Sequence, residues 1–174
     1  LPTDTAAKYQ QVIQGYQDKG YYLVSADKLP AAFDDNSSVN QNVTIYVAKR
    51  NQLHSEERTV TRTIMYYDKD TGKQLDILPV KQAVKFTRQA VISGQDGSLL
   101  GYNLDGKQDN HGNYLIEETN GDKAWTPATG EWAASTNPIL TEQGYELAED
   151  ANGQAYPLVA EGHPTALSGD EEVK

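Results

Sequence analysis

Thr59-Val60-Thr61-Arg62-Thr63-Ile64-Met65-Tyr66-Tyr67 is dense in β-branched and aromatic side chains, which pack well on a pleated surface. It runs into Asp68-Lys69-Asp70-Thr71-Gly72-Lys73, built from residues that make turns. A second strand is predicted over 80–92, where Val84, Phe86, Ala90 and Ile92 alternate with Lys81, Lys85 and Gln89. Two long strands joined through a turn set the class as β-rich α+β.

Upstream, residues 3–19 read as an amphipathic helix. Thr3, Asp4 and Thr5 are candidate N-caps, Gly20 is the C-cap, and Tyr9, Val12, Ile13 and Tyr16 recur on one face. A short strand over 21–25, a loop over 33–38 and a strand over 42–48 follow, and the polar stretch 50–57 reads as a junction. Downstream, 93–113 is rich in Gly, Asp and Asn and is expected to be a mobile excursion. Tyr114-Leu115-Ile116 and Ala124-Trp125-Thr126 read as a hairpin around Asn120-Gly121-Asp122, and 161–174 reads as a linker. A faint repeat pairs Gly20-Tyr21-Tyr22-Leu23 with Gly144-Tyr145-Glu146-Leu147, which suggests two related modules. The expected division is 1–54 and 55–174, arranged as an elongated rod.

Composition narrows the function. The chain has 174 residues, a net charge of −10 and no cysteine, which excludes disulfide staples, zinc ribbons and thiol catalysis. No apolar run approaches the roughly 20 residues of a membrane helix, so no membrane insertion is expected, and the first residues form no signal-peptide apolar region. Acidity argues against nucleic acid and anionic membranes. Residues 56–93 carry seven basic and five acidic side chains, whereas 94–174 carry three and fifteen. The acidic half is either a solvated surface or a site for cationic partners.

Catalytic signals are scarce. His54, His111 and His163 stand apart in polar segments, and no nucleophile elbow, P-loop or dinucleotide motif occurs. A carboxylate pair of the kind that cleaves glycosides could be assembled by folding, but no spacing singles one out. No cofactor is expected except calcium, for which Asp68, Asp70, Asp105 and Asp109 offer turn-borne oxygens without an EF-hand loop. Eleven Tyr and two Trp against two Phe suit either a thin core or a ring platform for sugar or peptide.

Val60-Thr61-Arg62-Thr63-Ile64-x-Tyr66, then Asp70-x-Gly72-Lys73, Val84-Lys85-Phe86-Thr87-Arg88 and later Trp125 and Trp132, resembles the second subdomain of a mucus-binding (Mub) repeat. Gly20-Tyr21-Tyr22-Leu23-Val24-Ser25, Phe33-Asp34-Asp35-Asn36 and Val43-Thr44-Ile45-Tyr46-Val47 resemble the end of a MucBP-type subdomain. The resemblance implies tandem ubiquitin-like β-grasp subdomains in an elongated arrangement. It implies an extracellular, non-catalytic repeat of a lactic-acid-bacterial surface adhesin, anchored to a Gram-positive cell wall through its parent. The implied partners are host mucin glycoproteins and their glycans, immunoglobulin as a second partner, and neighbouring repeats. A structural spacer and a carbohydrate-active enzyme fragment are the alternatives.

A β-grasp places a hairpin before its helix, whereas here the helix begins almost at Leu1, so a cut from a longer repeat is expected. Residues 1–50 should then be the less stable half, or borrow a neighbour's strand. For ligand binding, the basic strand is the less repulsive landing surface. Lys81 and Lys85 share one face, with Tyr66, Trp125 and Trp132 as candidate stacking rings.

Overall fold

Alternation makes the long strands. In β4 (Val80–Ile92), Val84, Phe86 and Arg88 turn inward while Lys81, Ala83 and Lys85 stay exposed, and the predicted bounds match the observed ones. The computed structural model describes residues 3–28, 42–149, 151–154 and 159–174. The architecture is β-rich α+β: α1 (Thr3–Asp18), β1 (Tyr21–Ala26), β2 (Ile45–Lys49), β3 (Gln52–Ile64), β4, β5 (Leu99–Asn103) and β6 (Glu171–Val173). The strands form a two-stranded sheet, β1-β2, and a four-stranded sheet in the order β5-β4-β3-β6. The loop expected at 33–38 and the side chains of Thr3, Asp4 and Thr5 lie outside the described residues.

The chain divides into two compact units, Leu1–Ser55 with Gln89–Gly121, and Glu56–Arg88 with Asp122–Lys174. The first unit thus takes in 89–121, which a division at residue 54 places in the second domain. In this unit α1 ends where Lys19 N and Gly20 N donate to the Tyr16 and Gln17 carbonyls, and Gly20 takes φ 93°. β1 and β2 pair antiparallel from Tyr21↔Lys49 to Ala26↔Ile45, with an irregularity between Leu23 and Ser25. Of the expected helix stripe only Ile13 is buried; Val12 and Tyr16 are 50% and 42% exposed. A two-stranded sheet is only about 5 Å wide between strands and covers a narrow strip of helix surface. Tyr9 Oη donates to the Asp27 carbonyl (2.7 Å), and Tyr16 meets Tyr21 edge-on at 5.8 Å.

The second unit is built on Val60, Phe86, Trp132 and Ala166, with Val84 and Trp125 packed against them. Side-chain pairs Glu56–Arg88, Glu57–Lys85 and Arg62–Gln82 rise along β3 as they fall along β4, the pattern of an antiparallel pair. β6 runs parallel beside β3, from Arg62↔Glu171 to Ile64↔Val173. Arg62 is 2% exposed, yet its guanidinium is satisfied: Nε donates to Gln82 Oε1 (2.8 Å), Nη1 to the Ala160 carbonyl (2.8 Å) and Nη2 to the Ala133 carbonyl (3.0 Å). It also lies over the Trp132 ring at 5.1 Å.

Four expectations require correction. The polar junction at 50–57 is largely strand, because β3 begins at Gln52 and its inward Glu56 pairs with Arg88 rather than with apolar neighbours. The expected excursion at 93–113 contains β5, paired with β4 from Gln89↔Asn103 to Ile92↔Leu99. The hairpin around Asn120-Gly121-Asp122 does not form; Gly121–Lys123 is a 3-10 turn, and Thr126 bridges to Thr87 while Glu118 bridges to Tyr102. Segment 161–174 is not a linker: Gly162 bridges to Trp132, Ala166 enters the core and β6 closes the end. At the turn the two segments agree, since Gly20 and Gly144 both follow helical turns with positive φ, but residues 145–149 form no counterpart of β1.

Candidate functional site

The residues expected to share one binding face are divided by the strand that carries them. Lys81 and Lys85 sit on the exposed side of β4, whereas Trp125 packs against the core that Val84 and Phe86 build from the opposite side. Trp132 is 3% exposed and is a core ring, unable to present a face to a sugar. Trp125 is half-buried beneath Arg88, whose guanidinium lies 4.4 Å from the ring centroid. Its Nε1 is buried and has no hydrogen-bond partner among the described residues. Lys85 Nζ pairs with Glu57 at 2.8 Å across the strands, which cancels its charge locally, while Lys81 makes no ion pair among the described residues. Tyr66 is half-buried just beyond β3, where its carbonyl accepts from Leu75 N (2.8 Å). The expected charge-and-ring cluster is therefore not one surface.

The aspartates proposed for calcium serve turns. Asp68 Oδ1 accepts from Asp70 N (2.8 Å) and Thr71 N (3.3 Å). Asp105 Oδ1 accepts from Lys107 N (3.1 Å), and Asp109 Oδ1 from His111 N (2.8 Å) and Asn113 N (3.0 Å). The Asp105 carboxyl is held below the ordinary range, first by its hydrogen bond with Glu117 and then by Lys107. Among the described residues no three His, Cys, Asp or Glu side chains converge as metal ligands.

The best-built polar constellation is in the first unit and was not anticipated. Arg50 follows β2 and Asn51 precedes β3. Arg50 Nε donates to the His111 carbonyl (2.8 Å) and Nη1 to the Gln17 carbonyl (3.0 Å), so one side chain ties the end of α1 to the 109–113 turn. Arginine's planar fork lets it hold two divergent carbonyls at once. Asn51 acts reciprocally: its amide donates to the Tyr114 carbonyl (3.0 Å) and its oxygen accepts from Tyr114 N (2.7 Å), while Asn51 N donates to Asn113 Oδ1 (2.9 Å). Gly112 takes φ 81°, a conformation that favours glycine, and a Cβ there would crowd the Arg50 side chain, 2.8 Å from its Nε. The turn itself rests on Asn103, 2% exposed, whose amide donates to the Lys107 (3.1 Å) and Leu115 (2.9 Å) carbonyls.

Between these parts lies a groove of about 560 Å³, formed by the last turns of α1, by Tyr22 and Leu23 of β1, by Arg50 and by 110–112. The Tyr22 and His111 rings lie 5.4 Å apart with a 37° tilt. In the sequence His111 stands apart in a polar segment, and its spacing gives no sign of this contact. The available signal was the pair Arg50-Asn51 set between two strands, with glycines at 94 and 112. A Cβ at Gly94 would collide with the Arg50 and Lys49 backbone.

A family model described as a Muc B2-like domain matches residues 51–161. The chain belongs to that family. A second model, described as a mucin binding domain, matches residues 2–49, so Arg50 stands between the two matches. No curated protein matches. Among solved structures, the chain is similar to Mub-RV at 20% identity and TM-score 0.55, over 94% of this chain and 77% of that one. It is similar to the type 2 repeat of the mucus binding protein MUB from Lactobacillus reuteri at 18% identity and TM-score 0.51, over 94% and 78%. The mucin-binding domain of Spr1345 from Streptococcus pneumoniae matches at 22% identity and TM-score 0.45, over 70% and 90%. At these identities the likeness to the first two is one of fold.

Proposed function

We propose that this chain is a non-catalytic, extracellular repeat of a surface adhesin that binds host mucin glycoprotein. The observation that carries the reading is the succession, along one chain, of a mucin binding domain match over 2–49 and a Muc B2-like match over 51–161. The open, polar groove agrees with recognition of a surface ligand. The same reading makes immunoglobulin a second protein partner and attaches the parent protein to a cell wall.

A single weak site gains strength when copies are linked, because the second contact becomes intramolecular. Arrays of one, two and four copies should therefore bind a mucin-coated surface with an affinity that rises more than proportionally with copy number. A parallel immunoglobulin-coated surface tests the second partner. Absence of mucin binding at every array length overturns the proposal and leaves a spacer.

A further inference from the structure

We infer that the groove between α1, β1 and the 109–113 turn is a subsite for one neutral sugar residue, a hexose or N-acetylhexosamine. The inference rests on the adhesin reading and gives it a location and a ligand class. Its volume, about 560 Å³, falls within the range of small-molecule sites and is ample for one pyranose ring.

The groove has the two kinds of surface that a pyranose needs. One is an aromatic pair, Tyr22 and His111, for the apolar face of the ring. The other is a set of side chains with hydrogen-bonding capacity to spare. Gln17 and Asn110 line the groove, and their side-chain amides make no hydrogen bond among the described residues. Each amide both donates and accepts, as does each sugar hydroxyl. Arg50 spends Nε and Nη1 on carbonyls, and its Nη2 is left to donate. Asp18 adds an acceptor; one of its oxygens takes a hydrogen bond from Gln14 Nε2 (2.8 Å).

Charge selects the class. Arg50 makes no ion pair among the described residues, which by itself would invite a carboxylate or sulfate. Yet its guanidinium sits at the C-terminus of α1, the negative end of the helix dipole, worth about half a charge, and Asp18 lines the same groove. The local field is thus close to balanced. An anionic sugar gains little attraction there and faces Asp18, whereas a neutral one loses little solvation.

The test uses the isotope-labelled 174-residue chain, titrated by NMR with galactose, N-acetylgalactosamine and, as the charged control, N-acetylneuraminic acid. A neutral sugar should shift amides within 14–23 and 109–113, at millimolar affinity that is unchanged between about 50 and 500 mM salt. The variant Asn110→Ala with His111→Ala changes two exposed side chains and keeps the backbone bonds of the turn, so its spectrum should otherwise match the parent. It should bind the sugar about tenfold more weakly. Shifts that map to β4, or a response to the charged control alone, overturn the inference. So does a folded variant that binds sugar as the parent does. If the groove fails while the parent still binds mucin, the adhesin reading stands without this subsite. If neither sugar nor mucin binds, both readings fall.

Discussion

Replacing Arg50 with alanine should loosen the first unit selectively. The side chain donates two hydrogen bonds from a charged group, to the Gln17 carbonyl at the end of α1 and to the His111 carbonyl in the 109–113 turn. A hydrogen bond from a charged donor contributes about 1.5–3 kcal/mol. Both carbonyls border an open groove, so water can replace part of what is lost, and the combined loss should be about 2–3 kcal/mol. That corresponds to about a 30- to 150-fold increase in the opening equilibrium. Native-state hydrogen exchange reads this directly at Tyr114 N, bonded to Asn51 Oδ1, and at Asp27 N, bonded to the Thr44 carbonyl. Arg50→Lys should fall between, since one ammonium cannot reproduce the fork. Protection at Tyr114 within about threefold of the parent in Arg50→Ala would refute the reasoning.

In the second unit, Arg62→Leu removes three hydrogen bonds and leaves the Ala160 carbonyl without its donor, so stability should fall by about 2–4 kcal/mol in urea denaturation; a loss under about 1 kcal/mol would contradict this. Gly130→Ala places a methyl group against Val84 and should cost about 1–3 kcal/mol by overpacking, read as a lowered Tm, whereas an unchanged Tm would show that the contact yields freely. Asp96 is held below the ordinary carboxylate range, first by the Ser98 side chain and then by Ser98 N and Ser93. Because folding lowers its value, its contribution is present above the unfolded value and is lost as pH falls through the folded one. An NMR titration should show a midpoint below that of a peptide aspartate, rising in Ser98→Ala; a peptide-like midpoint would contradict the bonding.

Legibility in the sequence followed sequence distance and polarity. β4 was readable to its ends because Val84, Phe86 and Ala90 mark one face while Lys81 and Lys85 mark the other. The turn at 68–73 was readable because Asp68 organises it through amides two and three residues on. The first half of β3 was not, because its inward Glu56 is satisfied by an arginine 32 residues away, and no hydrophobic alternation marks that. The Asn- and Asp-rich stretch 93–113 resembles a loose loop by composition. Its side chains instead bond their own backbone: Asn103, Asp105 and Asp109 each fix a turn. β6 depends on a parallel partner more than a hundred residues earlier. The candidate site suffered most. Trp132 and Trp125 could be counted in the sequence, but whether such rings lie inside or outside is decided by packing. Arg50 and Asn51 find their partners 33 to 63 residues away.

The central claim, that the chain recognises the glycans of mucin, is tested most directly by comparing native mucin with the same mucin stripped of its O-linked sugars. Both would be immobilised at equal protein density and presented with the same tandem array. The account predicts binding to native mucin and its loss on the stripped protein. Equal binding to the two would contradict it.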